Sequence, residues 1–196
     1  MSSPGAFGET EIRKGLARRG WFVIPTANID EGGAPMARSC DRALILPDLQ
    51  ISAHGKSRWV EVKTKEKAAY YQIEQVYKHG FCLRQWEHYR HIERETGLQV
   101  WLFIWEVSTA TICYAPLGYF KYQQIRRPGK FQVPSRGGRH DYCEHGMVFF
   151  RRDDFWQMDQ AQFDAGTWND TWIHTRTETL EKVPPQQPSL FPEPQP

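Results

Sequence analysis

Residues 47–63 have the sequence PDLQISAHGKSRWVEVK, and the architecture of the chain can be inferred from this segment outward. Apolar and polar residues alternate on both sides of a polar segment that contains a glycine, His54-Gly55-Lys56-Ser57. This pattern predicts two short antiparallel strands joined by a tight turn. Successive side chains of a strand point to opposite faces. One face of the hairpin is therefore apolar, and its members are Leu49, Ile51, Ala53, Val60 and Val62.

The opposite face gathers two carboxylates and a lysine at the open end of the hairpin. A turn at residues 54–57 would place Asp48 across from Lys63 and Gln50 across from Glu61. Carboxylates are hard oxygen ligands that suit Mg²⁺, and a lysine beside them can orient or help deprotonate a water and offset charge on phosphorus. The cluster therefore indicates metal-assisted hydrolysis of a phosphodiester. An ordinary cross-strand ion pair is the alternative.

The order Pro47-Asp48, twelve residues, then Glu61-Val62-Lys63 resembles the signature of the PD-(D/E)XK nucleases, the restriction-endonuclease-like superfamily. The resemblance covers about the first half of the chain. It implies an α/β fold whose core is a helix, a three-stranded mixed sheet, a helix and a strand, followed here by additional C-terminal strands. It also implies that Asp48 and Glu61 hold Mg²⁺ or Mn²⁺, that Lys63 acts on the attacking water, and that the substrate is DNA.

A third carboxylate is predicted on the first helix. Residues 2–19 have a proline near the start and a glycine after the end, which is typical of a helix. Glu9, Ile12 and Leu16 fall on one face of it. In the resemblance, Glu9 supports the metal from this helix; the alternative is a glutamate at the rim of the apolar stripe.

Asp41 is a rival for the metal-binding aspartate. It begins the apolar run 41–46, which predicts a strand. To reach Glu61 from Asp41 in one regular ladder, Pro47 would have to lie inside a paired strand, where its missing N–H is unfavourable. Asp48 is therefore preferred, and Asp41 remains the alternative.

Two helices are predicted after the hairpin. The first runs from Thr64 to about Gly80, and its apolar face would consist of Ala69, Ile73, Val76 and Tyr77. Its first turn carries Lys65 and Lys67, which would contact phosphate or simply face solvent. The second runs over residues 83–96, and its Gln85 and Tyr89 resemble a glutamine-tyrosine pair found in exonuclease-type members of the superfamily. Gln85 is accordingly a candidate substrate-binding residue.

Length and composition bound the remaining choices. The chain has 196 residues, eight tryptophans and a net charge of +2, which predicts one folded domain over residues 1–175 with any basic surface being local. Residues 99–107, 109–115 and 147–151 read as further strands. The continuous apolar character of the first predicts a central strand that is covered on both faces. The sequence has no secretion signal and no apolar run long enough to span a bilayer, so a cytoplasmic location is expected.

Residues 176–196 are rich in Pro and Gln and predict a disordered tail. Within it, residues 187–191 resemble the peptide by which bacterial replication and repair proteins bind the β sliding clamp. Gln187, Ser189, Leu190 and Phe191 match, whereas Pro188 departs from the usual leucine.

The site residues and the tail together predict a Mg²⁺-dependent deoxyribonuclease of DNA repair, recombination or phage DNA metabolism, tethered through this tail. The alternative is an inactive nuclease-fold adaptor recruited to the clamp. Exonuclease, endonuclease and junction resolvase remain open, as does DNA versus RNA.

Overall fold

The computed structural model describes residues 4–26, 36–39, 42–120, 124–126 and 146–167. Asp41 and the predicted tail, with its peptide 187–191, lie outside these ranges. The described helices are α1 (Pro4–Arg18), α2 (Leu83–Thr96) and α3 (Gln160–Asp164). None of them has both the length and the apolar character needed to cross a membrane.

The strands of the described ranges form three sheets. They are β1 (Phe22–Pro25), β2 (Met36–Ser39), β3 (Arg42–Ile45), β4 (Leu49–Ala53), β5 (Lys56–Lys65), β6 (Ala69–Tyr71), β7 (Val76–Cys82), β8 (Val100–Glu106), β9 (Thr111–Pro116), β10 (Gln124–Arg126), β11 (Met147–Arg151) and β12 (Trp156–Asp159).

The central sheet has six strands in the order β1-β4-β5-β8-β9-β12. β5 and β8 are parallel, and the other neighbours are antiparallel. A second sheet has the order β10-β11-β7-β6, and β2 pairs with β3. The chain thus passes through α1, the three strands β1, β4 and β5, then α2 and β8. The prediction of an α/β fold with this core order and additional C-terminal strands is confirmed.

Each face of the central sheet is covered by a hydrophobic cluster. On one face, Ile12 and Leu16 of α1 pack with Leu49, Ile51 and Val60 of the β4–β5 hairpin. On the other face, α2 and the second sheet pack against β8 and β9. All seven residues of β8 are buried, which confirms its predicted central position, because a strand covered on both faces is apolar throughout.

The β4–β5 hairpin has a tighter turn than the sequence pattern predicted. Ala53 pairs with Lys56, so the turn consists of His54 and Gly55, and both have positive φ angles, 51° and 74°. Two-residue turns of this kind match the twist of paired strands. The register therefore differs by two residues from the expected one. Because side chains alternate with period two, the shift leaves the apolar and polar faces unchanged.

The helix predicted from Thr64 to Gly80 is wrong. β5 continues to Lys65, and β6 and β7 form a hairpin. Ile73, which was expected on the apolar face of a helix, lies at the hairpin tip and is 99% exposed. Hydrogen bonds with β8 and β11 outweigh the helical spacing of a few apolar residues, since tertiary pairing overrides local periodicity.

We predict that Gly15→Ala destabilises the protein. A Cβ at this position of α1 would lie 1.9 Å from Cε1 of Phe163, whose ring is 1% exposed and cannot move aside. The free energy of unfolding should fall by about 1–3 kcal/mol, measured by urea denaturation. A gain of about 1 kcal/mol, as expected for an unhindered helical glycine, would contradict the close packing. Phe163→Leu should reduce the penalty in the double variant.

Candidate active site

Asp48, Glu61 and Lys63 lie together where β4 begins beside β5. Leu49 pairs with Val60, so the next position along the ladder sets Asp48 beside Glu61 rather than across from Lys63. Oδ2 of Asp48 accepts a hydrogen bond from the backbone N–H of Val62 at 2.8 Å. This bond holds the carboxyl group of Asp48 next to Glu61 and Lys63, the residues on either side of Val62 in β5.

Glu61 is the most enclosed member of the group. Its side chain is 1% exposed, and its Oε2 accepts a hydrogen bond from the hydroxyl of Tyr89 on α2 at 2.7 Å. The ammonium of Lys63 contacts Oε1. Lys63 is 30% exposed and lies 5.4 Å from the ring centroid of Phe81. Glu61 is thus held from two sides, while Lys63 faces an opening to solvent.

Glu9 approaches the same group from α1. Gly8 lets α1 come close to β5, because a Cβ there would lie 1.9 Å from Oγ1 of Thr64. Burial raises the pKa of Glu9, the nearby Arg13 opposes this, and the charge of Glu61 adds to the increase. The charges of Glu9, Asp48 and Glu61 therefore act on one another across the space between α1 and the hairpin.

The electrostatics of the site show an excess of negative charge. Burial raises the pKa of Asp48 to about 8, with the charge of Glu61 adding to the effect. Burial lowers the pKa of Lys63, but Glu61 and Asp48 outweigh it, so the net direction is upward. Lys63 is therefore an ammonium ion, and Asp48 holds a proton near neutral pH in the absence of a metal.

These residues fit a divalent cation. Carboxylate oxygens are the ligands that Mg²⁺ and Mn²⁺ prefer. A cation would favour the charged forms of Asp48 and Glu9, whose pKa is raised mainly by burial and further by the charge of Glu61. Each carboxylate oxygen has two lone pairs, so the bonds from Val62 and Tyr89 leave Asp48 and Glu61 able to bind an ion. Asp48 and Glu61 would be its ligands, with Glu9 beside them.

One supporting residue was not found from the sequence. The backbone N–H of Thr26 donates to the carbonyl oxygen of Asp48 at 2.9 Å, and its hydroxyl donates to the carbonyl of Pro47 at 2.5 Å. Thr26 follows β1 directly and so ties the edge of the sheet to the backbone that carries Asp48. A threonine after a short strand is too common to predict this contact.

The predicted substrate-binding residues occupy different positions. Gln85 is half-buried on α2, one turn before Tyr89. Lys65 ends β5, and Lys67 is exposed in the turn that leads to β6, so neither lies in a helix. Contact of these side chains with a substrate stays a prediction. Gln187, Ser189, Leu190 and Phe191 lie outside the described residues.

A second candidate metal group lies at the end of β8. His79, Glu106 and Cys113 are buried, and their ligand atoms lie within 4.8 Å of one another. However, Arg152 donates to both oxygens of Glu106 through Nε at 3.0 Å, and the Ala68 N–H and Thr109 hydroxyl also donate to it. Burial raises the pKa of Cys113 to about 12. A guanidinium already neutralises the carboxylate, so this group is satisfied as a structural network.

Comparisons with known proteins found likeness in structure but not in sequence. No protein-family model and no curated protein matches the sequence. Among solved structures, the chain is similar to Hjc, a Holliday junction resolvase of the archaeal hyperthermophile Archaeoglobus fulgidus. The match covers 81% of this chain and 91% of that chain, with 12% identity and a TM-score of 0.45. A likeness of this degree carries no argument about function, which has to be inferred from the site itself.

We predict that Asp48→Asn stabilises the metal-free protein at pH 8. The pKa of Asp48 is about 8 in the folded state and about 3.9 in an unfolded chain. Its contribution to stability is therefore fully present below about pH 4 and is lost as the pH rises through about 8. Asparagine does not ionise, so the variant should gain at least about 1 kcal/mol over the wild type at pH 8.

Urea denaturation in EDTA at pH 4, 6 and 8 measures this difference. The gain should nearly disappear at pH 4, where the wild-type carboxyl is protonated in the folded state and about half protonated in the unfolded chain. Asp164→Asn is the matched control, because this carboxylate is 40% exposed and pairs with Arg18 at the surface. A variant that is less stable than the wild type at all three pH values would show that Asp48 is not under electrostatic strain.

Proposed function

We propose that this chain is a divalent-metal-dependent nuclease that hydrolyses phosphodiester bonds. The observation that carries the proposal is the concentration of Glu9, Asp48 and Glu61 around Lys63, with the pKa of Asp48 raised to about 8. Buried carboxylates without enough neighbouring positive charge destabilise a fold. Such an arrangement is typical of a site that binds a cation, and a perturbed carboxylate pKa is typical of a functional site.

The residues of the site have separate roles in this proposal. Asp48 and Glu61 would hold the cation, and Glu9 would add negative charge beside it. A bound divalent cation supplies positive charge against the charge that develops on the phosphoryl oxygens. Tyr89 fixes the orientation of Glu61 through its hydrogen bond at 2.7 Å, and Thr26 and the Val62 N–H fix Asp48.

Lys63 acts as a hydrogen-bond donor in this reaction. It is an ammonium ion beside the carboxyl groups of Asp48 and Glu61, and its side chain is 30% exposed, so a substrate can reach it. It can hydrogen-bond to the attacking water or to a phosphate oxygen and so orient the reactants and offset developing charge. Of the roles expected from the sequence, orientation and charge stabilisation agree with its raised pKa, whereas proton abstraction does not.

DNA is the proposed substrate because the Pro47-Asp48 and Glu61-Val62-Lys63 signature resembles DNA-cleaving enzymes. The residues of the site would contact phosphate groups and a metal ion, and the phosphate groups are common to DNA and RNA. Repair, recombination and phage DNA metabolism are the processes that use such an enzyme. Cleavage from an end, within a strand or at a junction is decided by surfaces outside this cluster.

We predict that Lys63→Ala and Glu61→Gln lower DNA cleavage by at least about 100-fold. The assay uses labelled single-stranded, duplex and branched DNA with Mg²⁺, Mn²⁺ or EDTA, and each variant's melting temperature shows that it folds. Lys14→Ala is the control, because this lysine forms only an exposed ion pair with Glu11 on the outside of α1. Cleavage of a substrate by the wild type in EDTA would contradict the metal requirement.

An inactive adaptor is the alternative within the same fold. The wild-type protein would then bind DNA but cut none of the substrates with either metal. The observation that favours keeping this alternative is the tail sequence, since a clamp-binding peptide recruits a protein to DNA whether or not it is an enzyme.

We also propose that residues 187–191 bind the β sliding clamp. A fluorescent peptide of residues 183–196 should bind purified clamp, and Leu190→Ala with Phe191→Ala should weaken binding at least about tenfold, because apolar anchors dominate such contacts. Pro188→Leu should strengthen it by restoring the residue that the motif usually has. Equal binding by the peptide and its double variant would show that the tail has another role.

A further inference from the structure

The outer end of the β6–β7 hairpin presents exposed aromatic and aliphatic side chains. Tyr70 and Tyr77 are directly opposite each other in the ladder, each is 51% exposed, and their ring centroids are 5.0 Å apart. Ile73 at the tip is 99% exposed. The two half-exposed tyrosines and the exposed isoleucine form an apolar patch at this end of the hairpin. Such a patch is typical of a binding surface.

The inner end of the same hairpin lies beside the candidate active site. Side chains alternate along β7, so Tyr77 shares a face with His79 and Phe81. Phe81 is buried and lies 5.4 Å from the ammonium of Lys63. Tyr77 and Phe81 are four positions apart along the strand, a distance of about 13 Å. Stacked bases rise about 3.4 Å each along one strand, so the two places are about four nucleotides apart.

The base of the hairpin is held rigidly by Glu106. Its carboxylate accepts a hydrogen bond from the N–H of Ala68, which precedes β6, at 3.0 Å, and lies 3.1 Å from Nε2 of His79 on β7. Arg152 neutralises the same carboxylate at 2.8 Å. The buried network at the end of β8 therefore joins both arms of the hairpin to the central sheet.

The opposite face of the hairpin is packed and does not compete for this role. Tyr71 contacts the ring of Phe149 at 5.4 Å, and the ammonium of Lys78 lies 4.9 Å from the Tyr71 ring. Lys78 is fully buried and pairs with Glu74 at 2.5 Å. Because one face is anchored in this way, Tyr70 and Tyr77 are held in place before any ligand binds, which lowers the entropy cost of binding.

We propose that Tyr70 and Tyr77 form a stacking platform for unpaired bases of the nucleic acid whose backbone lies at Lys63. Aromatic rings stack on every base and so bind single strands with little sequence preference, and an apolar side chain such as Ile73 can enter between unstacked bases. This inference rests on the proposed function and names its substrate class: DNA with a single-stranded segment beside the cleavage site. Nucleic acid is favoured over a protein partner because the strand that carries Tyr77 reaches Lys63 through Phe81 at its inner end.

The test measures binding without cleavage. Tyr70→Thr and Tyr77→Thr keep a residue suited to strands but remove the ring, and melting temperatures show whether they fold. Fluorescence anisotropy in EDTA compares labelled oligo(dT) with a blunt duplex. Each variant should bind oligo(dT) about tenfold more weakly and the duplex with less than a twofold change. Tyr77→Phe should bind as the wild type does, since it keeps the ring.

Phe22→Thr is the matched control, because Phe22 is a 67% exposed aromatic residue on the edge strand β1, away from the hairpin. Its oligo(dT) affinity should not change. Folded Tyr70→Thr and Tyr77→Thr proteins with unchanged oligo(dT) affinity would overturn the proposal, and so would an equal loss for duplex. The absence of cleavage in Mg²⁺, with a tyrosine-dependent affinity for oligo(dT) retained, would instead overturn only the proposed nuclease activity.

Discussion

The parallel pairing of β5 with β8 is the constraint on which the rest of the structure depends. It joins seven residue pairs, from Trp59 and Val100 to Lys65 and Glu106. Parallel strands cannot be joined by a tight turn and require a long crossover. Here the crossover contains the β6–β7 hairpin and α2. It therefore covers the face of β5 that carries Glu61, brings the Tyr89 hydroxyl to that carboxylate, and places Phe81 beside Lys63.

Two buried glutamates on these paired strands have opposite environments. Glu106 is surrounded by donors, and although burial opposes it, the bonds from His79 and Arg152 hold the pKa of its carboxyl well below the usual range. At the other site, Lys63 and Arg13 do not offset the burial and mutual repulsion of Glu9, Asp48 and Glu61, and the pKa of both Glu9 and Asp48 rises. The first arrangement stabilises the fold. The second is unfavourable without a cation, and this contrast separates a structural network from a candidate active site.

Sequence reasoning succeeded where a pattern and its tertiary surroundings agreed. The alternation in residues 47–63 placed the apolar residues on one face, and the buried run of residues 100–106 indicated a central strand. α2 was predicted with the bounds it has, because Gly97 ends it in a left-handed conformation with φ of 67°. It failed at residues 64–80, where Ala69, Ile73 and Tyr77 have helical spacing but β6 and β7 are held as strands by their neighbours.

Local sequence was enough to predict the types of α1, α2, β4, β5 and β8, the faces of the β4–β5 hairpin and the candidate residues Asp48, Glu61, Lys63 and Glu9, because these depend on local periodicity and residue chemistry. Only the tertiary structure decided that Asp48 lies beside Glu61, that Tyr89 and Thr26 hold the carboxylates from α2 and β1, and that Tyr70 and Tyr77 project from a hairpin. These features depend on contacts between residues far apart in the chain. Turn geometry and strand pairing set those contacts, and single residues do not encode them.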